Sequence, residues 1–178
     1  RAAARSAALG PGAGAGTPAA AMTGWVLRAL AVADAPVILP VIGAAFRAQS
    51  APTDPPSGAL RETVESLGAQ LAAGGGAGTE LEGRLVAVVL WVERDGALDL
   101  GRLSVLPGWR RRGLARALIG AAEGAARQRG LRRLTLGVRL ALADNRRLFT
   151  SCGFVETGVA AHAGYAVPTS ARMEKRLA

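Results

Sequence analysis

Six residues, Arg110-Arg111-Arg112-Gly113-Leu114-Ala115, constrain the fold of this chain more than any other stretch. Strand-like Leu103-Ser104-Val105 runs into them. Beyond them Leu114, Leu118, Ala121, Ala122 and Ala125 recur at a helical period as far as Gly130, after which Leu134, Leu136 and Val138 alternate as a strand. Strand, helix and strand in that order predict a right-handed βαβ crossover and a parallel strand pair. Gly113 opens the helix. The first amides of a helix lack partners inside it and the macrodipole is positive there, so three arginines, a residue without Cβ and unpaired N–H groups together form a cradle for a phosphate. The run lacks both the Gly-Lys-Ser/Thr of a P-loop and the three spaced glycines of a dinucleotide fingerprint.

Arg110, Gly113 and Ala115 match the signature Gln/Arg-x-x-Gly-x-Gly/Ala. Upstream, Leu103-Ser104-Val105-Leu106-Pro107 fits an "aVxP" strand end; downstream, Leu148-Phe149-Thr150-Ser151-Cys152-Gly153-Phe154 fits "LYxxxGF". With these three elements in order, residues 98–154 resemble the GNAT superfamily of N-acetyltransferases. The resemblance implies an α/β fold with a mixed, mostly antiparallel central sheet, one splayed parallel strand pair and helices on both faces. It implies acetyl-CoA as cosubstrate and direct acetyl transfer to a primary amine, the alternative being a catalytically weak or inactive acyl-CoA-binding homologue. By position, Leu103, Ser104 and Val105 would bond the pantetheine arm through their main chain, and Arg110, Arg111, Arg112, Gly113, Leu114 and Ala115 would hold the pyrophosphate.

The same comparison marks candidate catalytic groups. Asp99, eleven residues before Arg110, falls where some members carry a glutamate base; its other reading is a solvated hairpin acid, and Glu93 is a weaker substitute. Phe149 replaces the tyrosine that protonates the leaving thiolate. Three outcomes follow: water protonates the sulfur, Tyr165 reaches in from a late loop as the acid, or the protein binds the thioester with little catalysis. The cofactor-facing asparagine of the family would fall at Leu142; Asn145, one helical turn later, either takes that place or caps its helix. The acceptor is expected to be a small-molecule or peptide amine bound by the variable regions 36–73 and 160–169. A cationic acceptor would want acids such as Asp54, Glu62, Glu65 or Asp99.

A chain of 178 residues, 50% hydrophobic, suits one domain with a real core. The net charge of +9 is local: from Arg110 to Arg147 eleven arginines face only Glu123 and Asp144, while the remainder balances eleven bases against eleven acids. Such a field steers an anionic cofactor. Arg127, Arg129, Arg132 and Arg133 read as solvated surface. Nucleic acid is not favoured as a partner, since no aromatic residues interleave with the arginines. No apolar run spans a bilayer, so no membrane association is expected, and the lone Cys152 excludes an intrachain disulfide and points to the cytoplasm. Cys152 reads as core, and His162, the only histidine, as a loop residue. One His and one Cys give no transition-metal set. The family suggests a homodimer.

Residues 1–22, almost all Ala, Gly, Pro and Arg, are expected to be a disordered extension or a cloning remnant, with the domain at 23–178. A strand is predicted over 25–31, then a helix after Asp34 and Pro36 towards Gln49. A proline linker leads to a second helix from 57 or 58 to 73, ended by Gly74-Gly75-Gly76. A hairpin of strands 85–92 and 98–105 turns at Arg94-Asp95-Gly96. A short helix over 145–151 precedes a strand entered at Gly153-Phe154-Val155, a loop over 160–169 and a last strand over 172–177.

Overall fold

The structure, a computed structural model, describes residues 24–178; the expectation for residues 1–22 lies outside them. Its centre is β3 (Arg84–Arg94), in which Val86 to Trp91 are all buried. Such a strand needs cover on both faces. Ala87, Val89 and Trp91 pack with Leu114, Leu118, Ile119 and Ala122 of α3 (Leu114–Gln128). Val88 and Leu90 pack with Ile38 and Ile42 of α1 (Ala35–Arg47) and Leu67 and Leu71 of α2 (Val64–Ala73).

Seven strands form one sheet in the order β1-β2-β3-β4-β5-β7-β6. The others are β1 (Val26–Ala29), β2 (Gly75–Leu81), β4 (Ala97–Val105), β5 (Arg133–Arg139), β6 (Val155–Ala160) and β7 (Ser170–Arg176), with α4 (Ala143–Ser151) between β5 and β6. Every pairing is antiparallel except β4 with β5, as the α3 crossover requires. The α/β fold with helices on both faces of a mixed sheet is the one the sequence predicts.

Two expectations are corrected. The helix over 57–73 is broken: Gly58–Arg61 is a 3₁₀ turn, and α2 starts only after Thr63, whose hydroxyl accepts the Ser66 amide at 3.1 Å while Ser66 Oγ accepts the Thr63 amide at 2.9 Å. That reciprocal cap fixes the start. Gly74-Gly75-Gly76 does not simply end the helix; it leads into β2, which the sequence reading omits. A β-carbon at Gly74 would lie 1.9 Å from the Trp91 carbonyl oxygen, and one at Gly76 2.7 Å from that of Val89. Glycine here permits backbone to approach backbone rather than breaking structure.

The strand that positions the site is bent. Between Leu90↔Gly101 and Val88↔Ser104 the β4 side carries one extra residue, a β-bulge, with Arg102 at φ 55°. Pairing with β5 covers only Leu98↔Leu134 to Leu100↔Leu136. Past that point the strands part, and residues 101–105 and 137–139 line a V-shaped opening.

Candidate functional site

At the end of β4 the chain makes a 3₁₀ turn over Pro107–Trp109, extends at Arg110 and turns through two left-handed residues, Arg111 at φ 61° and Gly113 at φ 82°. Gly113 is the N-cap of α3, no side chain caps it and no acid lies in the first turn; the first intrahelical bond runs from Ala117 N to Gly113 O at 3.0 Å. The amides of Leu114, Ala115 and Arg116 are thus left to an external acceptor. A β-carbon on Gly113 would meet nothing within 4 Å, so φ and not crowding favours glycine there.

A cleft of about 490 Å³ lies against this turn. Leu103, Ser104 and Val105 of β4 form one wall; Arg110, Arg111, Gly113, Leu114 and Ala115 form the end at the start of α3; Asn145 and Phe149 of α4 form the other wall. Leu106 N donates to Val86 O, so the alternation of an extended chain turns the peptide groups of Val105 to the open edge of β4, where its carbonyl accepts from Arg110 Nε at 3.4 Å. Ser104 is 2% exposed, its hydroxyl donating to Arg102 O at 2.9 Å across the bulge. Phe149 is largely buried, edge-on to Phe154 with centroids 5.9 Å apart.

The arginines divide their work. Arg110 donates to the carbonyls of Ala48 at 2.7 Å and Ala45 at 3.0 Å, clasping the negative C-terminal end of α1. Arg112 stacks over Trp109 at 4.6 Å and does not line the cleft. Arg111 stays exposed on it. Of the helix-to-strand arginines, Arg127, Arg129 and Arg132 are exposed and Arg133 is half-buried; Arg129 bonds Gly74 O at 2.7 Å, Arg133 bonds Asp95 O at 2.8 Å, and Arg127 pairs with Glu123.

The other candidates lie outside the cleft. Asp99 sits at the last rungs of the parallel pairing, accepting from Thr135 Oγ1 at 2.7 Å, with Arg94 at 3.8 Å. Leu142 is buried at the start of α4. Tyr165 donates to the Asp54 carboxylate, which pushes the phenol pKa up. His162 is held between Arg139, at 2.6 Å from Nε2, and Thr169. Cys152 packs partly buried against the α3-side core.

Sequence reasoning missed the far wall, made by Ala45, Phe46, Gln49 and Ser50 where α1 ends, and Arg116. Arg116, three residues after Gly113, could have been found by its place in the first turn of α3; the α1 wall depends on tertiary packing. Glu62, named above as an acid for a cationic acceptor, is instead spent inside the fold: its side chain is 5% exposed and accepts from Arg102, Ser66 and Gln70. Burial pushes its pKa up, and those three hydrogen bonds outweigh burial and hold it below the usual glutamate range. The pair ties the bulge to the α2 entry.

No helix among the described residues is long and apolar enough to cross a membrane. No curated protein sequence matches the chain. The fold is similar to that of PaiA N-acetyltransferase from Thermoplasma acidophilum, solved with coenzyme A (16% identity, TM-score 0.71, covering 85% of this chain and 98% of that one). It is likewise similar to YncA from Salmonella typhimurium, solved with its cofactor acetyl-CoA (19%, 0.69, 87% and 95%). A third similar fold is a GNAT-family acetyltransferase from Streptococcus pneumoniae (20%, 0.68, 86% and 99%). Residues 47–154 match the family model of the Acetyltransferase (GNAT) family, which spans the bulged strand, the cradle and α4, and the chain belongs to that family.

Proposed function

We propose that the protein transfers an acetyl group from acetyl-CoA directly to a primary amine. The observation that carries this reading is the uncapped start of α3 at a left-handed Gly113, opening on a cleft whose other wall is the unpaired edge of β4. A diphosphate suits the α3 amides and Arg111, and the edge of residues 103–105 suits an amide-bearing arm. Bound there, acetyl-CoA supplies a thioester carbonyl carbon to which the amine nitrogen bonds as the C–S bond breaks. Asp99, its carboxylate held by Thr135, takes the proton that the amine loses, directly or through water. Phe149 has no proton to give and the Tyr165 hydroxyl is engaged by Asp54, so water returns a proton to the sulfur. Asn145 faces the same cleft from α4 and offers an amide to the cofactor.

Free-thiol release from acetyl-CoA, measured with a panel of amines and backed by mass spectrometry of the acceptor, tests the reading. Amine-dependent release with an acetylated product is expected. Tight cofactor binding with no turnover on any amine favours instead an acyl-CoA-binding homologue, the alternative that Phe149 motivates.

A further inference from the structure

On β4, Leu98 and Leu100 point into the α3-side core, and on β5 so do Leu134, Leu136 and Val138. Strand alternation therefore puts Asp99 and Gly101 of β4, and Thr135, Gly137 and Arg139 of β5, on the opposite face of the V. Gly101 and Gly137 floor it with open space, since a β-carbon on either would meet nothing within 4 Å. At one end stands the Asp99 carboxylate. About four residues along β5, roughly 13 Å at the rise of an extended strand, stands the Arg139 guanidinium.

Arg139 is half-buried and enters no ion pair among the described residues. Its contacts are the His162 ring, at 2.6 Å from Nε2, and the carbonyl of Pro55. These hold the guanidinium in place without an ion pair and leave some of its five N–H donors unused. Of the acids that a polycationic acceptor would need nearby, Glu62 is paired with Arg102, and Asp54 accepts the Tyr165 hydroxyl while keeping its charge. A second ammonium group beside Arg139 would be repelled.

Resting on the acetyltransferase reading above, we infer that the acceptor is a small amine carrying its own carboxylate, an amino acid or a close analogue. Its carboxylate pairs with Arg139, and its amine lies over the Gly101–Gly137 floor towards Asp99. Arg139 is a specificity residue in this arrangement, with His162 and Pro55 positioning it.

The test compares amino acids with their own amides and with spermidine, by thiol release from acetyl-CoA, at equal concentrations of unprotonated amine. The carboxylates are expected to exceed their amides in kcat/KM by about tenfold or more, as a charge-assisted hydrogen bond provides. Arg139→Gln should abolish that ratio by raising KM for the carboxylates, leaving kcat and the KM for amides near wild type; Arg139→Lys should keep part of it. Should Arg139→Gln fail to fold, the wild-type ratio decides alone. Amides or spermidine used as well as the carboxylates, or a ratio that survives in Arg139→Gln, overturns the inference while leaving the acetyltransferase reading intact. Absence of turnover on every amine overturns both.

Discussion

The two sides of the V are built on different principles. The side proposed to take the cofactor is made mostly of backbone: an uncapped helix start, a left-handed glycine and a strand edge unpaired with β5, all within residues 103–117. The side proposed to take the acceptor is made mostly of side chains from distant segments, with Asp99 on β4, Thr135 and Arg139 on β5, His162 and Tyr165 after β6 and Asp54 between α1 and α2, where Pro55 adds a carbonyl. Main-chain recognition tolerates sequence change as long as the turn forms. Side-chain recognition changes with single substitutions, so one scaffold can keep its donor and vary its acceptor.

The largest expected effects test whether both sides stand on a shared core. Leu118→Ala under the cradle and Ile38→Ala on the opposite face each remove a fully buried side chain and should cost about 2–5 kcal/mol. Thermal melting should fall by roughly 6 °C or more for each, and a small loss for either would mean that its face packs loosely.

Gly113→Glu separates the two sides. Its φ of 82° strains any other residue, and the new carboxylate would stand at the start of α3, where the diphosphate is proposed to bind. Calorimetry should show acetyl-CoA affinity down about a hundredfold, near 2.7 kcal/mol, whereas His162→Ala should leave that affinity alone. Equal losses in the two variants would erase the division.

Phe149→Tyr places a phenol in the cofactor cleft. If water now protonates the sulfur, turnover should rise by about a hundredfold, at the low end of general acid catalysis. An unchanged rate would show that this proton transfer does not limit turnover.

The smallest effect concerns the Glu62–Arg102 tie. Glu62→Gln should cost about 1 kcal/mol. Because the folded protein holds this carboxyl below its ordinary value of 4.5, the ionised pair contributes in full above that pH and its contribution is lost as pH falls through the lower, folded value. The gap in melting temperature between wild type and Glu62→Gln should therefore close on acidification below pH 4.5; a constant gap would mean that the ionised pair is not the source.

The same division explains what the sequence reveals. Residues 98–154 are legible because local rules act there: alternation in β4, a glycine at a helix start, a helical period in α3. What stays hidden depends on approach between distant segments. The glycines of β2 read as a break because nothing local shows that β3 lies against them. The bulge at Arg102 leaves no compositional mark, although it opens the V. Arg110 reads as a phosphate ligand, and only the fold reveals the α1 carbonyls beside it. Arg139 and His162, 23 residues apart, likewise meet only in the folded chain.

The most direct test of the cradle is thermal stability of the full chain with coenzyme A against adenosine, which lacks the diphosphate and the pantetheine arm. At about 100 times its dissociation constant a ligand that binds only the folded state stabilises it by about 2.7 kcal/mol, several degrees for a chain of this size. A shift of that order with coenzyme A and little or none with adenosine at the same concentration is the predicted result. Equal shifts with both, or none with coenzyme A, would contradict a grip centred on the start of α3.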